Sequence, residues 1–507
     1  MQLSVFEGGF TLAAAEAVLD LGAHGTDLWV PDVVQSLLER SLVRAAGGAR
    51  FSMLRSVQDY LRERLDPVAA RSLESRHWAY MARLDATDVS ASPQSDLENK
   101  VAACRRATAA GDGTAAVHCL TLAWAGLRLT GPLRLVDTLA GTLRALAGLD
   151  AEQRLVVEWL SATACFAAGA LADAARASER GLALVDACPR APAPATRMLT
   201  IAGEVAAAQG LVDHANRCFD SATALAEGAG IDAASRCHLL NAQGLSATDG
   251  GRHEDARALY ERALAVAEQA GDRRWQGGVL GNLGLLTYSQ GRLDESVRFY
   301  ERALALSAAS GDKRWEGNMR CNLGLAYLGM ARAAEASAQL LAARDIGRAV
   351  GNLAIESAAE CNLGIASMVA GDRADGQGLQ HLRQAVTIAT TADDLRTASQ
   401  AAAYLACALC RAGDLAAAAK ALEQSRRDNA ELADSLAQGI GCCAQAELAF
   451  ALGHRADALV SLREARALLV RENWGESSEF GVWLATTEAR LQLPRLAIVG
   501  SYGAQNT

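Results

Sequence analysis

The chain has 507 residues, 51% of them hydrophobic but only 5% aromatic, and its 49 Lys+Arg against 58 Asp+Glu give a formal net charge of −9. That balance argues against a broad nucleic-acid surface, which needs clustered positive charge to displace counterions from phosphate. The apolar surplus is mostly Ala and Leu, which let helices approach closely, and no apolar run reaches the ~18 residues of a membrane span, so an all-α cytoplasmic protein with twelve reduced cysteines is expected.

Residues 1–85 read as one unit: a helix over 11–21, a second over 31–40, a hairpin from Ser41 to Leu54 around Ala-Gly-Gly, then one long helix from Ser56 to about Asp85. Helix, helix, hairpin is the order of a winged helix, here an incomplete one. Its second helix, PDVVQSLLER, would offer Gln35, Ser36 and Arg40 to a DNA groove, but beside Asp32 and Glu39. The segment holds nine Arg and eleven acidic residues, so packing beside the following helices is the expected role, and nucleic acid is not the expected partner.

Residues 86–150 read as degenerate helical repeats, with one weak unit turning near Gly131. The stretch DACPRAPAPAT, residues 186–196, breaks the helical run and reads as a mobile connection. Beyond it no proline occurs between Pro194 and Pro494, which leaves nearly the whole remainder free to be helical.

Residues 151–475 carry an internal repeat. A turn residue recurs as Gly169, Gly210, Gly251, Gly291, Ala331, Gly371, Gly413 and Gly453, at intervals of 41, 41, 40, 40, 40, 42 and 40. Seven residues before most of these turns stands a second glycine: Gly203, Gly244, Gly284, Gly324, Gly364. Nine residues after them stands a large residue (Phe219, Tyr260, Tyr300, Leu340), flanked five and twelve residues on by small ones such as Ser296 and Ala303. In the unit GDRADGQGLQHL two extra residues shift the small and large positions to Gly378 and Leu382. Each unit is therefore a helical hairpin that buries its apolar face only by stacking on its neighbours. A capping helix over 476–495 and a disordered tail over 496–507 complete the expected order.

Leu283-Gly284, Ser296, Tyr300 and Ala303, echoed by Leu323-Gly324, Ala336, Leu340 and Ala343, resemble the tetratricopeptide repeat. The resemblance implies an α-solenoid whose inner face binds protein or peptide. The period of about 40 exceeds the family's usual ~34, so curvature is not carried over. In the first segment Leu3-Ser4-Val5-Phe6, Gly8-Gly9-Phe10, the run Leu37-Leu38 to Ser41-Leu42, and Phe51, Met53-Leu54 and Tyr60 resemble the winged helix of bacterial STAND-class signal-transduction ATPases. Tetratricopeptide repeats commonly follow that module. No GxxxxGK[ST] occurs, so nucleotide binding is not expected, and the chain reads as the carboxyl-terminal part of a longer regulator.

Nothing in the sequence calls for catalysis, a cofactor or a metal. Cys407, Cys410 and Cys443 could share one face as a zinc or redox group, but no second CxxC or suitably spaced His accompanies them. The echo of GDRRWQGGVLGNLG as GDKRWEGNMRCNLG reads as repeat geometry: Asp272 as a helix cap, Trp275, Trp315 and Ile355 as seam residues, and Asn282, Asn322 and Asn362 as structural positions. The candidate partner-binding set is Leu285, Tyr288, Leu325, Leu328, Ile365 and Met368, an apolar lining suited to an amphipathic helix or a cognate ATPase or effector region. The expected function is a non-catalytic interaction scaffold or sensor arm of a bacterial regulatory system; the alternative is a DNA-binding transcriptional regulator acting through the winged helix.

Overall fold

The computed structural model describes residues 1–22, 29–46, 49–84, 96–228, 231–310, 313–370, 376–472 except 431 and 433, and 474–492 except 477. The expected tail, the Gly371 turn and the 85/86 boundary lie outside these residues. The chain divides into two compact units, Met1–Ala242 and Gln243–Thr507.

The first unit opens with a single 3-10 turn, Gln2–Val5, followed by β1 (Phe10–Thr11), α1 (Leu12–Val18), α2 (Val30–Glu39), β2 (Arg44–Ala45), β3 (Arg50–Ser52), α3 (Arg55–Arg62) and α4 (Pro67–Met81). The expected hairpin is joined by a third strand. β1 pairs antiparallel with β3, Phe10 opposite Phe51, giving the order β1-β3-β2. Gly9 permits this: at φ +100 it takes a left-handed conformation, and a Cβ there would lie 2.6 Å from the Phe51 carbonyl oxygen. Thr11 then caps α1 by accepting from the Ala14 N–H at 3.1 Å. Leu3, Val5, Phe6, Phe10, Ala15, Val18, Val34 and Leu73 form the core.

The long helix expected from Ser56 to Asp85 is instead two helices. Pro67 has no N–H to continue α3, so it occupies the first turn of α4, where none is needed, and Asp66 caps that turn by accepting from Val68 and Ala69 at 3.0 Å each.

Helices α5 (Leu97–Ala109), α6 (Gly113–Thr130), α7 (Arg134–Arg144), α8 (Ala151–Ala167), α9 (Leu171–Val185), α10 (Pro192–Ala208) and α11 (Val212–Gly228) follow. α6 turns into α7 at Gly131 (φ +70), as the spacing suggests, and a further hairpin joins α5 to α6 at Gly111 (φ +79). The 186–196 stretch is a tight, packed turn and not a loose connection: Cys188 and Ala191 are buried, and the Ala191 N–H donates to the Cys188 carbonyl at 3.0 Å. Its second proline, Pro192, again serves as a helix start, at the head of α10. Helix α12 (Ala233–Asp249) contains the division between the units.

The second unit continues as α13 (His253–Gln269), α14 (Arg273–Ser289), α15 (Leu293–Ser310), α16 (Lys313–Gly329), α17 (Ala333–Ala349), α18 (Leu353–Val369), α19 (Gln377–Thr391), α20 (Leu395–Ala412), α21 (Leu415–Asn429), α22 (Ser435–Ala451), α23 (Arg455–Arg471) and α24 (Glu479–Leu491). The periodic turns are left-handed: Gly251, Gly291, Ala331, Gly413 and Gly453 have φ of +70, +74, +57, +84 and +85. Each is closed by a backbone bond from the next residue back into the preceding helix, as Arg292 N–H to Thr287 O at 2.8 Å and Arg332 N–H to Tyr327 O at 2.9 Å.

The second periodic glycine makes the hairpin tight. A Cβ on Gly244, Gly284, Gly324 or Gly364 would come within 2.5, 2.6, 2.7 or 2.4 Å of Tyr260, Tyr300, Leu340 or Leu382 respectively. The missing side chain is thus the notch that seats the large residue of the partner helix. Ser296 adds a bond from its hydroxyl to the Gly284 carbonyl at 2.8 Å. Between hairpins, Trp315 lies against Gly277 and Gly281, and Ile355 against Gly317, so the apolar seam is real and not specific to Trp. Asp272 caps α14 through the N–H groups of Arg274 and Trp275 at 3.1 Å each.

Candidate partner-binding face

The notch glycine gives each first helix a reference direction, because Gly284 points at α15. At about 100° per residue, Leu285 lies about 100° from that direction, Tyr288 only about 40°, and Asn282 about 160°, opposite the partner helix. The face turned away from the second helices is therefore Gly278, Asn282, Leu285 and Ser289 on α14. Its counterparts are Asn318, Asn322 and Leu325 on α16, where Gly329 instead faces Leu293 of α15, and Ala358, Asn362, Ile365 and Val369 on α18.

The six apolar candidates divide accordingly. Leu285 is 46% exposed and Leu325 half-buried. Tyr288, Leu328 and Met368 are half-buried because they turn toward the seams: Tyr288 and Leu328 pack on the cluster around Tyr300 and Leu340, Leu328 and Met368 on the one around Leu382 and Cys407. Ile365 is only 7% exposed and belongs to that last cluster, so it is a core residue and not a groove lining. Its register equivalents further along, Cys407 and Glu447, are 0% and 4% exposed, so within the second unit this face closes progressively toward the carboxyl end.

The three asparagines, read from sequence as structural marks, are half-buried at the middle of the open face. Their 40-residue spacing places an amide donor and acceptor on each of three successive first helices. What α14, α16 and α18 offer together is a row of amides flanked by Leu285, Leu325 and the exposed Val369.

The cysteines do not form a ligand set. Cys407 and Cys443 are fully buried, and the Cys407 and Cys410 thiols face the Ile440 and Ala444 carbonyls at 4.0 and 3.9 Å. Burial pushes the Cys410 thiol up to about 12 and that of Cys407 well above its usual range, so both are protonated, unreactive thiols at neutral pH. Among the described residues no three His, Cys, Asp or Glu side chains are grouped to hold a metal ion. Nearby, Glu447 is held by Arg411 at 2.9 Å, whose guanidinium lies 4.9 Å over the Trp483 ring.

In the first unit, the exposed side of α2 carries Asp32, Gln35, Glu39 and Arg40, with Gln35 donating to Glu39 at 3.1 Å. Arg50 is engaged by Asp96 at 2.6 Å and Arg62 by Glu7 at 2.7 Å. Among the described residues no helix is long and apolar enough to cross a membrane.

Comparison with known proteins agrees with the repeat. No curated protein matches the chain. A Signal Transduction ATPase with Numerous Domains (STAND) protein with a tetratricopeptide repeat sensor, from Pyrococcus horikoshii, aligns at 15% identity and TM-score 0.49 over 96% of this chain. This chain spans 64% of that protein's length. The apo form of the quorum sensor NprR from B. thuringiensis aligns at 12% identity and TM-score 0.48, over 74% of this chain and 99% of its own. A Rap protein complexed with Competence and Sporulation Factor aligns at 14% and 0.46, over 67% and 99%. Residues 275–349 match the tetratricopeptide repeat family, the stretch that holds the Gly284–Tyr300 and Gly324–Leu340 notches. The fold is an all-α tetratricopeptide-repeat solenoid.

Proposed function

We propose that the chain is a non-catalytic interaction arm of a bacterial regulatory system, which binds a protein or peptide segment across the open faces of α14, α16 and α18. The carrying observation is the row of half-buried Asn282, Asn322 and Asn362 bordered by Leu285 and Leu325. Amides in fixed register can satisfy the backbone of a bound segment while the leucines take its apolar side chains. Residues 1–85 we read as a partial winged-helix packing module; the three-stranded order β1-β3-β2 beside α2 supports that reading, and Asp32 and Glu39 on the exposed side of α2 oppose approach to phosphate.

A dodecamer peptide display library panned on the full chain tests this reading. Peptides that bind should lose at least tenfold in affinity with Leu325→Glu or Asn322→Ala, while both variants keep the wild-type melting curve. Selected peptides indifferent to both substitutions would remove the face from consideration.

A further inference from the structure

The first 81 residues and α5 to α8 have two apolar clusters, joined through α4: the former includes Phe6, Phe10 and Leu73, the latter Met81, Val101, Leu120 and Leu160, and Tyr80 packs on both. Between them lies a polar seam. Asn99, fully buried, accepts from the Glu7 N–H at 2.7 Å and donates to the Gly9 carbonyl at 2.8 Å, so its amide takes the place of a strand partner for the Glu7-Gly8-Gly9 loop. Arg106 reaches across from α5 to the Val5 carbonyl at 2.8 Å and to Glu7 at 3.3 Å. Gly8 sits so close to Glu98 that a Cβ would overlap it.

At the centre stands His77 of α4, 0% exposed, edge-on to the Phe6 ring at 5.5 Å. Its Nε2 faces Asn99 Oδ1 at 3.3 Å and its Nδ1 faces the Arg106 Nη1 at 3.2 Å. A guanidinium only donates, so Nδ1 must accept and the ring must be neutral. A second proton would place two donors and two positive charges face to face. The other charged groups around the ring are Arg62 of α3, Glu7 of the loop, Glu74 of α4, which lies 3.7 Å from Arg106, and Asp96 with its partner Arg50.

We propose that Asn99, His77 and Arg106 form a releasable latch between the Glu7-Gly8-Gly9 loop and α5, which opens when His77 takes up a proton or when Asn99 is lost. The seam can part locally, with α4 staying in place through Met81 and Tyr80, because most of what joins the Glu7-Gly8-Gly9 loop to α5 is backbone amide and carbonyl, which water satisfies at little net cost once exposed. Whether or not the face on α14 to α18 takes a partner, the latch stands on these contacts alone. Its pH response has a definite sign. Burial, with the Arg106 charge, lowers His77 from 6.5 to about 4, so the closed form binds the proton more weakly than the open form. The closed form is then fully favoured above pH 6.5 and loses ground as pH falls from 6.5 toward 4. At pH 5 the opening equilibrium should exceed that at pH 8 by about 30-fold.

The test is hydrogen exchange on the full chain, corrected for the intrinsic pH dependence, following a peptide that contains the Glu7 amide against peptides from α8 and α9. The expected result is opening of the Glu7 peptide about 30-fold more frequent at pH 5 than at pH 8, with α8 and α9 unchanged. His77→Gln, which can still donate to Asn99 and accept from Arg106, should abolish the pH dependence and stay closed. Asn99→Leu should exchange fast at both pH values with the α8 and α9 peptides still protected. A wild-type Glu7 peptide that is flat with pH, that opens only in step with α8 and α9, or that keeps its pH dependence in His77→Gln would overturn the latch.

Discussion

Gly284→Ala is a one-methyl change whose effect follows from the notch. The new Cβ would lie 2.6 Å from Tyr300 Cε1, 2.8 Å from Cδ1 and 2.9 Å from Cζ. Ordinary contact begins near 3.4 Å, so ring or helix must move by nearly an ångström. Tyr300 is 1% exposed and sits against Ala303 and Leu280 in one cluster, so it has nowhere to go without opening its own surroundings. Overpacking of this kind costs about 1–3 kcal/mol. The better helix propensity of Ala returns about 0.5–1 kcal/mol, which leaves a clear net loss. Gly278, in the same helix, is the internal control: a Cβ there meets nothing within 4 Å, so Gly278→Ala should gain about 0.5–1 kcal/mol. The assay is urea-dependent hydrogen exchange of α14 and α15 amides, which reads local stability in an array that need not unfold in one step. In a Gly284→Ala background, Tyr300→Ala should cost less than it does alone, by about 1 kcal/mol or more. If Gly284→Ala matches Gly278→Ala in sign, the notch is not filled by Tyr300 and the account of the hairpin fails.

Ala331 holds φ +57 where its counterparts are glycine, and a non-glycine residue there carries a penalty of about 1–2 kcal/mol, so Ala331→Gly should raise the urea midpoint of the α16–α17 hairpin. Cys410 and Cys442, pushed by burial up to about 12 and about 11, should resist iodoacetamide at pH 8 in the native chain and react in urea; rapid native alkylation would show these helices to be open. Asp96 is raised by burial but more than brought back by its Arg50 and Asn99 bonds, and is held below its usual value of 3.8. The stability it contributes is therefore present above pH 3.8 and lost as pH falls below it, and Asp96→Asn should flatten that acid limb in a thermal melt of the module.

The repeat was legible because its signals are local and redundant. Gly291 at a turn, Gly284 seven residues earlier and Tyr300 nine later each imply the other two, and one hairpin confirms the next. The long helix over 56–85 failed on a single dipeptide, Asp66-Pro67, whose capping power outweighed a helical composition on both sides. The third strand escaped notice because two residues, Phe10–Thr11, are too few to show alternation; the only hint was Gly8-Gly9, which becomes meaningful once the backbone of Phe51 lies 2.6 Å from where a side chain would be. The functional face was half legible. Counting from the Leu-Gly pair found Leu285 and Leu325 but also Tyr288, Leu328 and Met368, which point to the seams. The notch glycine already fixed the direction of the partner helix, and measuring angles from it singles out Asn282, Asn322 and Asn362. The burial of Ile365 was not legible, since it depends on how closely α20 approaches α18.

Every notch closes inside its own hairpin: Gly284 and Tyr300 both lie between residues 273 and 310, and Gly324 and Leu340 between 313 and 349. The contacts between hairpins, such as Trp315 on Gly277 and Ile355 on Gly317, accept different apolar side chains. Copying or deleting a block of 40 residues would thus leave all internal fits untouched and require one new match at the junction. An array of this construction can change its length by duplication far more readily than it can change the shape of any single unit, and the shared Gly-Asp, Arg-Trp and Asn-Leu-Gly of the segments beginning at Gly271 and Gly311 are what a copy of that kind would leave behind.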